Sequence, residues 1–131
     1  MSAVVDGSVL VAATIDVGTE GAWAEEVLGE GGVVAPHHVL VEATNILRRL
    51  EGAKRLSRLE ATAAQRDLLA LDILLVPFEP FAERVWALRR NVTSYDAWYV
   101  AVAEALDLPL ATLDRRLSRA SGPSCRFRLP R

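Results

Sequence analysis

Four carboxylates, Asp6, Glu42, Asp96 and Asp114, are the residues of this chain best placed to do chemistry. Asp6 ends a short β-branched run and is followed by Gly7, Asp96 lies near the start of an apolar helical stretch, and Asp114 follows a second short apolar run. Each of these three has an ordinary role open to it, as a turn residue, a first-turn acid or an N-cap. Glu42 differs. It reads as a mid-helix acid bordering an apolar stripe, where capping explains nothing and the plain alternative is a surface Glu that snorkels to water. Four acids on one rim cannot all ionise in a confined site unless cations neutralise them. Hard oxygen donors without a Cys or His set suit Mg2+ or Mn2+. One or two such ions activate a water and relieve charge on the leaving oxygen of a phosphodiester, which is what a nuclease needs.

Neighbouring residues add candidates. Ser8 lies two positions after Asp6 and Thr112 two before Asp114, and Asn45 is one helical turn beyond Glu42. All three can hydrogen-bond the acids, and all three are equally common as cap or turn residues. His38 is spaced i, i+4 from Glu42, which would allow a shared metal, but His37 is the only other histidine and no zinc set forms. The plainer reading is a pair of exposed helix-start histidines. Tyr95, Trp98 and Tyr99 can stack bases, yet at this spacing in an apolar helix they read as packing.

The elements that must bring these residues together follow from the hydrophobic pattern. Residues 3–5 read as a strand leading through Asp6-Gly7 into a helix over 9–15. A second helix runs from Gly18 to Leu28, and glycines at 29, 31 and 32 break it before a strand at 33–35 closed by Pro36. Apolar residues at helical spacing give a helix over 37–50, with Glu42, Asn45 and Arg49 on one flank. Ser57 caps another helix to about Leu71, and 73–76 is a continuous apolar strand bounded by prolines. Residues 81–90 form an amphipathic helix, 94–107 a helix apolar nearly all round, and 110–113 a strand. A short Arg-rich helix and an edge strand at 126–129 complete the chain. Strands separated by helices pair in parallel through right-handed crossovers, so the class is α/β in three layers. Sites in such sheets lie beyond the carboxyl ends of the strands, where Asp6 and Asp114 fall.

Composition sets the bounds. The 131 residues, 51% hydrophobic and 24% charged, fit one domain over 1–131 that folds unaided. A single Cys125 allows no internal disulfide and fits a reducing, cytoplasmic setting. The N-terminus lacks a basic leader segment, and no apolar run approaches the ~20 residues that cross a bilayer. The net charge of −2 conceals an asymmetry: residues 1–47 carry seven acids and no Lys or Arg, while six Arg and no acid follow Asp114. Among those, Arg115, Arg116 and Arg119 are candidates to hold an RNA backbone, against a plain solvated terminus.

These blocks, VVDGSVLV around Asp6, HVLVEATNILRRL around Glu42 and SYDAWYVAVAEALDLPLATLD from Asp96 to Asp114, resemble the PIN domain family and within it the VapC-like toxins. The resemblance spans nearly the whole chain. It implies a Mg2+- or Mn2+-dependent endoribonuclease with about five parallel strands, a homodimer, and inhibition by a VapB-like antitoxin protein. Family metal ligands fall on Asp6, Glu42, Asp96 and Asp114. Some members carry a further acid where this chain has Arg116, a departure that bears on a second ion. A receiver domain fits less well, since Pro77-Phe78-Glu79 follows the third strand and Lys54 lies in a helical region. An aspartyl phosphatase would want an acid where Ser8 stands. The rival from another class is a non-catalytic module of the same fold that only pairs with a protein or RNA.

Overall fold

The computed structural model describes residues 2–131. Its centre is β1 (Ala3–Val5), three small or β-branched residues that are all buried. A strand covered on both faces needs such a continuous apolar run. β1 pairs in parallel with β2 (Val33–Pro36) on one side and β4 (Leu110–Ala111) on the other. β3 (Leu74–Val76) extends the sheet beyond β2, and β5 (Phe127–Arg128) beyond β4, giving the order β3-β2-β1-β4-β5 with every pair parallel.

Parallel neighbours cannot be joined by hairpins, so helices carry the chain back each time. α1 (Gly7–Ile15) and α2 (Thr19–Gly29) link β1 to β2, and α3 (Val39–Gly52) and α4 (Arg58–Leu69) link β2 to β3. A 3-10 turn at Glu79–Phe81, α5 (Ala82–Ala87) and α6 (Ser94–Leu106) lead to β4, and α7 (Arg115–Ser118) precedes β5. Helices α1 to α4 pack on one another, while α6 lies against β1, β2 and β4 and pairs with α5. This is the three-layer α/β arrangement expected. Val9 and Leu10 of α1 and Tyr99, Val100 and Val102 of α6 are fully buried, which explains why both helices are apolar nearly all round. No helix of the described residues is long and apolar enough to cross a membrane.

Several boundaries differ from the sequence reading, each for a local reason. α3 starts at Val39 rather than His37, because the His37 N–H is still bonded to the Val76 carbonyl of the neighbouring strand. Glu42 is therefore a first-turn acid, not a mid-helix one, and the macrodipole favours it there. The expected helix over 81–90 shortens to Ala82–Ala87 as its last amides turn to i−3 carbonyls. β4 stops at Ala111, since Thr112, although its N–H still reaches the Arg128 carbonyl, turns its side chain to the site. Ser57 caps α4 as read, with Glu60 completing a capping box.

Candidate active site

Strand order decides where the acids can meet. From β1 the chain moves outward to β2 and β3, then returns to place β4 on the other flank of β1. The order reverses between β1 and β4, and a crevice opens at that switch point beyond their carboxyl ends. Asp6 is the residue after β1, and Thr112, Leu113 and Asp114 are those after β4.

Asp6 is buried, with 6% of its surface exposed, and both of its oxygens are bonded. Oδ1 accepts from the Ser8 hydroxyl and from the Val9 N–H at 3.3 Å, so Asp6 also caps α1. Oδ2 accepts from the fully buried Thr112 hydroxyl, 106 positions away. Ser8 Oγ in turn accepts from the Leu113 N–H at 3.3 Å, and Thr112 Oγ1 from the Asp114 N–H at 3.0 Å. Two hydroxyls thus stitch the end of β1 to the end of β4. Burial raises the Asp6 carboxyl above its ordinary range more than the Ser8, Thr112 and Val9 donors lower it, and the charge of Asp96 raises it further.

Glu42 reaches the same place from α3. Its Oε1 accepts from the Gly7 N–H at 2.7 Å. Position 7 has to be glycine for this approach: a Cβ there would stand 2.5 Å from Glu42 Oε1 and 3.0 Å from the Ala43 nitrogen. Burial first, then the charges of Asp6 and Asp96, push Glu42 up to about 7. Asp96 lies in the first turn of α6, its N–H bonded at 3.2 Å to the Thr93 hydroxyl that caps the helix. Its carboxyl is raised too, by partial burial and then by Asp114. Asp114 is exposed and caps α7, Oδ1 accepting from Arg116 N at 2.9 Å and Leu117 N at 3.1 Å. Mutual repulsion therefore runs along the series Glu42, Asp6, Asp96, Asp114. An open groove of about 450 Å³ adjoins it, lined by Asn91, Thr93, Asp96, Asp114 and Arg116.

Other candidates divide. Ser8 and Thr112 both hold Asp6, whereas Asn45 is exposed and its side-chain oxygen accepts from Arg48 Nε at 2.9 Å. Arg116 is on the groove, but the Arg115 guanidinium is bonded to the Pro130 carbonyl at 2.9 Å, and Arg119 is exposed on the far end of α7. His37 is exposed as expected, while His38 is not: its ring stacks on Trp98 at 4.8 Å and 5°, and both ring nitrogens are buried without partners. Trp98 and Tyr99 do pack, but Tyr95 is 71% exposed. Gly7 and Thr93 escaped the sequence reading. The one signal for Gly7 was its place directly after a strand-end acid, where a close approach calls for a missing Cβ.

The donor set fits a hard divalent cation. No three of the described His, Cys, Asp or Glu side chains converge as a ready-made cage. Mg2+ does not ask for one, since it keeps much of its hydration and takes only one or two carboxylates directly. Three carboxyls raised by burial and, in addition, by a neighbouring carboxylate are what a site that takes a cation would present.

A parallel α/β sheet with an acid-lined switch point is the architecture of the PIN domain. The PIN domain family model matches residues 3–123, and the chain belongs to that family. Ribonuclease VapC1 of Mycobacterium tuberculosis is 40% identical over 129 residues, covering 98% of this chain and 97% of the relative. Among solved structures, PAE2754 from Pyrobaculum aerophilum superposes with a TM-score of 0.68 at 27% identity, over 89% of this chain and 77% of its own. VapBC2 from Rickettsia felis, solved bound to a DNA fragment from its promoter, shares the fold at 14% identity with a TM-score of 0.66, over the full length of both chains.

Proposed function

We propose that this chain is a divalent-cation-dependent endoribonuclease of the VapC kind, with Asp6, Glu42, Asp96 and Asp114 as the ligands of Mg2+ or Mn2+. The observation that carries the reading is the buried Asp6 carboxylate, held on both oxygens at the strand switch point, with Glu42 and Asp96 close enough to feel its charge or be felt by it and Asp114 next to Asp96. When bound, the cation supplies the positive charge that activates water and offsets charge on the phosphodiester. The protein's part is positional. Ser8 and Thr112 fix both Asp6 oxygens, Gly7 fixes one Glu42 oxygen, and the caps of α6 and α7 present Asp96 and Asp114 at the groove. RNA enters along that groove, where Arg116 meets its backbone; Arg115 serves instead to fasten the C-terminal segment.

Purified protein is expected to cut RNA with Mg2+ or Mn2+ and to stop with chelator. Asp6→Asn and Asp96→Asn should each lower cleavage by at least ~100-fold while the variants stay folded, since each removes a charge the ion needs. Equal cutting by either folded variant sinks the reading.

The kinship with VapC also supports a VapB-like antitoxin as partner and a homodimer as the working form. Co-expression with the antitoxin should abolish cleavage, and sedimentation should give twice the 14.3 kDa chain mass. A monomer at micromolar concentration excludes the dimer.

A further inference from the structure

Tyr99 sits three residues beyond Asp96 on α6, so both side chains leave the same face of the helix one turn apart. The residue has no exposed surface, and its hydroxyl makes no well-formed hydrogen bond, although the Glu42 carboxylate lies near enough to interact with it. Its ring is walled in by His38, 4.8 Å away at 42°, which is itself stacked on Trp98. Neither His38 nitrogen accepts from it. A buried hydroxyl left in this state is costly, and a phenylalanine would pack as well without it. What lies beside the phenol is the Glu42 carboxylate, with Asp6 beyond; burial first, then these two charges, keep the phenol protonated, so it stays a donor.

We propose that Tyr99 is a positioning residue of the cation site: its hydroxyl donates to the Glu42 carboxylate and, with the Gly7 N–H, fixes the face that Glu42 turns to the ion. The Gly7 N–H engages Oε1 alone, which leaves the carboxylate free to swing about that one bond. A second donor from α6 removes the freedom and ties α3 to the helix that carries Asp96. Partners of this kind, one bond removed from the ion, set ligand orientation, and their loss commonly lowers metal affinity about 10- to 100-fold.

The inference rests on the cation site proposed above, and the test separates the two. Mn2+ affinity is measured without RNA, by titration calorimetry or by the paramagnetic signal of the free ion. Wild type should bind Mn2+, and Tyr99→Phe should bind it roughly 10-fold more weakly with an unchanged thermal midpoint. In a Glu42→Gln background the same substitution should cost nothing further. No Mn2+ binding by wild type defeats the cation site itself. Binding by wild type with equal affinity in Tyr99→Phe, or an equal loss with and without Glu42, overturns the role of Tyr99 alone. If Tyr99→Phe fails to fold, a crystal structure of the Mn2+-loaded wild type decides. The hydroxyl within roughly 3 Å of a Glu42 oxygen supports the proposal, and a hydroxyl still unpartnered overturns it.

Discussion

Thr112 and Gly7 are small residues whose replacement tests the site without touching a carboxylate. Thr112 donates to Asp6 Oδ2 and accepts the Asp114 N–H, so Thr112→Val keeps the volume and strands groups on both strand ends. It should destabilise the protein by about 1–3 kcal/mol in denaturant unfolding, the cost of unmade buried hydrogen bonds. An unchanged midpoint would mean that the two strand ends are held by something else. Gly7→Ala forces a methyl against Glu42 and the Ala43 backbone, and should cost about 1–3 kcal/mol while weakening Mn2+ binding. At this scale the sequence was informative about charge and silent about contact. The four acids, Ser8 and Thr112 were legible because strand ends and helix starts fix where they go. Asn45 was misjudged because one helical turn from Glu42 leads to solvent and to Arg48, and the burial of His38 depends on Trp98, which no spacing within α3 reveals.

Among the elements, the caps carry most of the placement. Asp6, Thr93 and Asp114 start α1, α6 and α7, so the acids or their neighbours serve as N-caps, and the capping role is compatible with the ligand role proposed for Asp6 and Asp114. Ser57 is the contrasting case, a capping box on α4 closed by Glu60, which is not one of the candidate acids. Ser57→Ala should lower stability by about 1 kcal/mol and leave cleavage per folded molecule unchanged. A fall in cleavage would tie α4 to the site. On α7, Arg116→Ala should weaken RNA binding and reduce its salt slope by about 0.7, the value for one phosphate contact on a single strand, and an unchanged slope would remove Arg116 from the groove's chemistry. Long apolar elements such as α1 and α6 were readable from pattern alone. The ends of α3, α5 and β4 were not, because a backbone bond from a neighbouring strand or a side chain turned toward Asp6 decides them.

For the molecule as a whole, the raised carboxyls make stability depend on pH in an unusual direction. Glu42 titrates near 4.5 in an unfolded chain and at about 7 when folded, so between these values the folded state holds more protons. Metal-free protein should therefore lose stability as pH rises from about 5 to 8, on the order of 2 kcal/mol for Glu42 once solvent screening is allowed for, with Asp6 and Asp96 acting in the same sense. Mn2+ should restore the thermal midpoint at pH 8 and do little at pH 5. A midpoint that rises with pH in metal-free buffer would contradict the account. The sheet order has a consequence of another kind. Asp6 and Thr112 touch, yet β4 and Thr112 follow more than a hundred residues after the first acid. A chain still emerging during synthesis has the first two acids in place long before the strand that locks Asp6 can dock. The acid site is thus completed only once residue 112 has been made and β4 can dock beside β1, so shorter translation intermediates lack the clamp on Asp6.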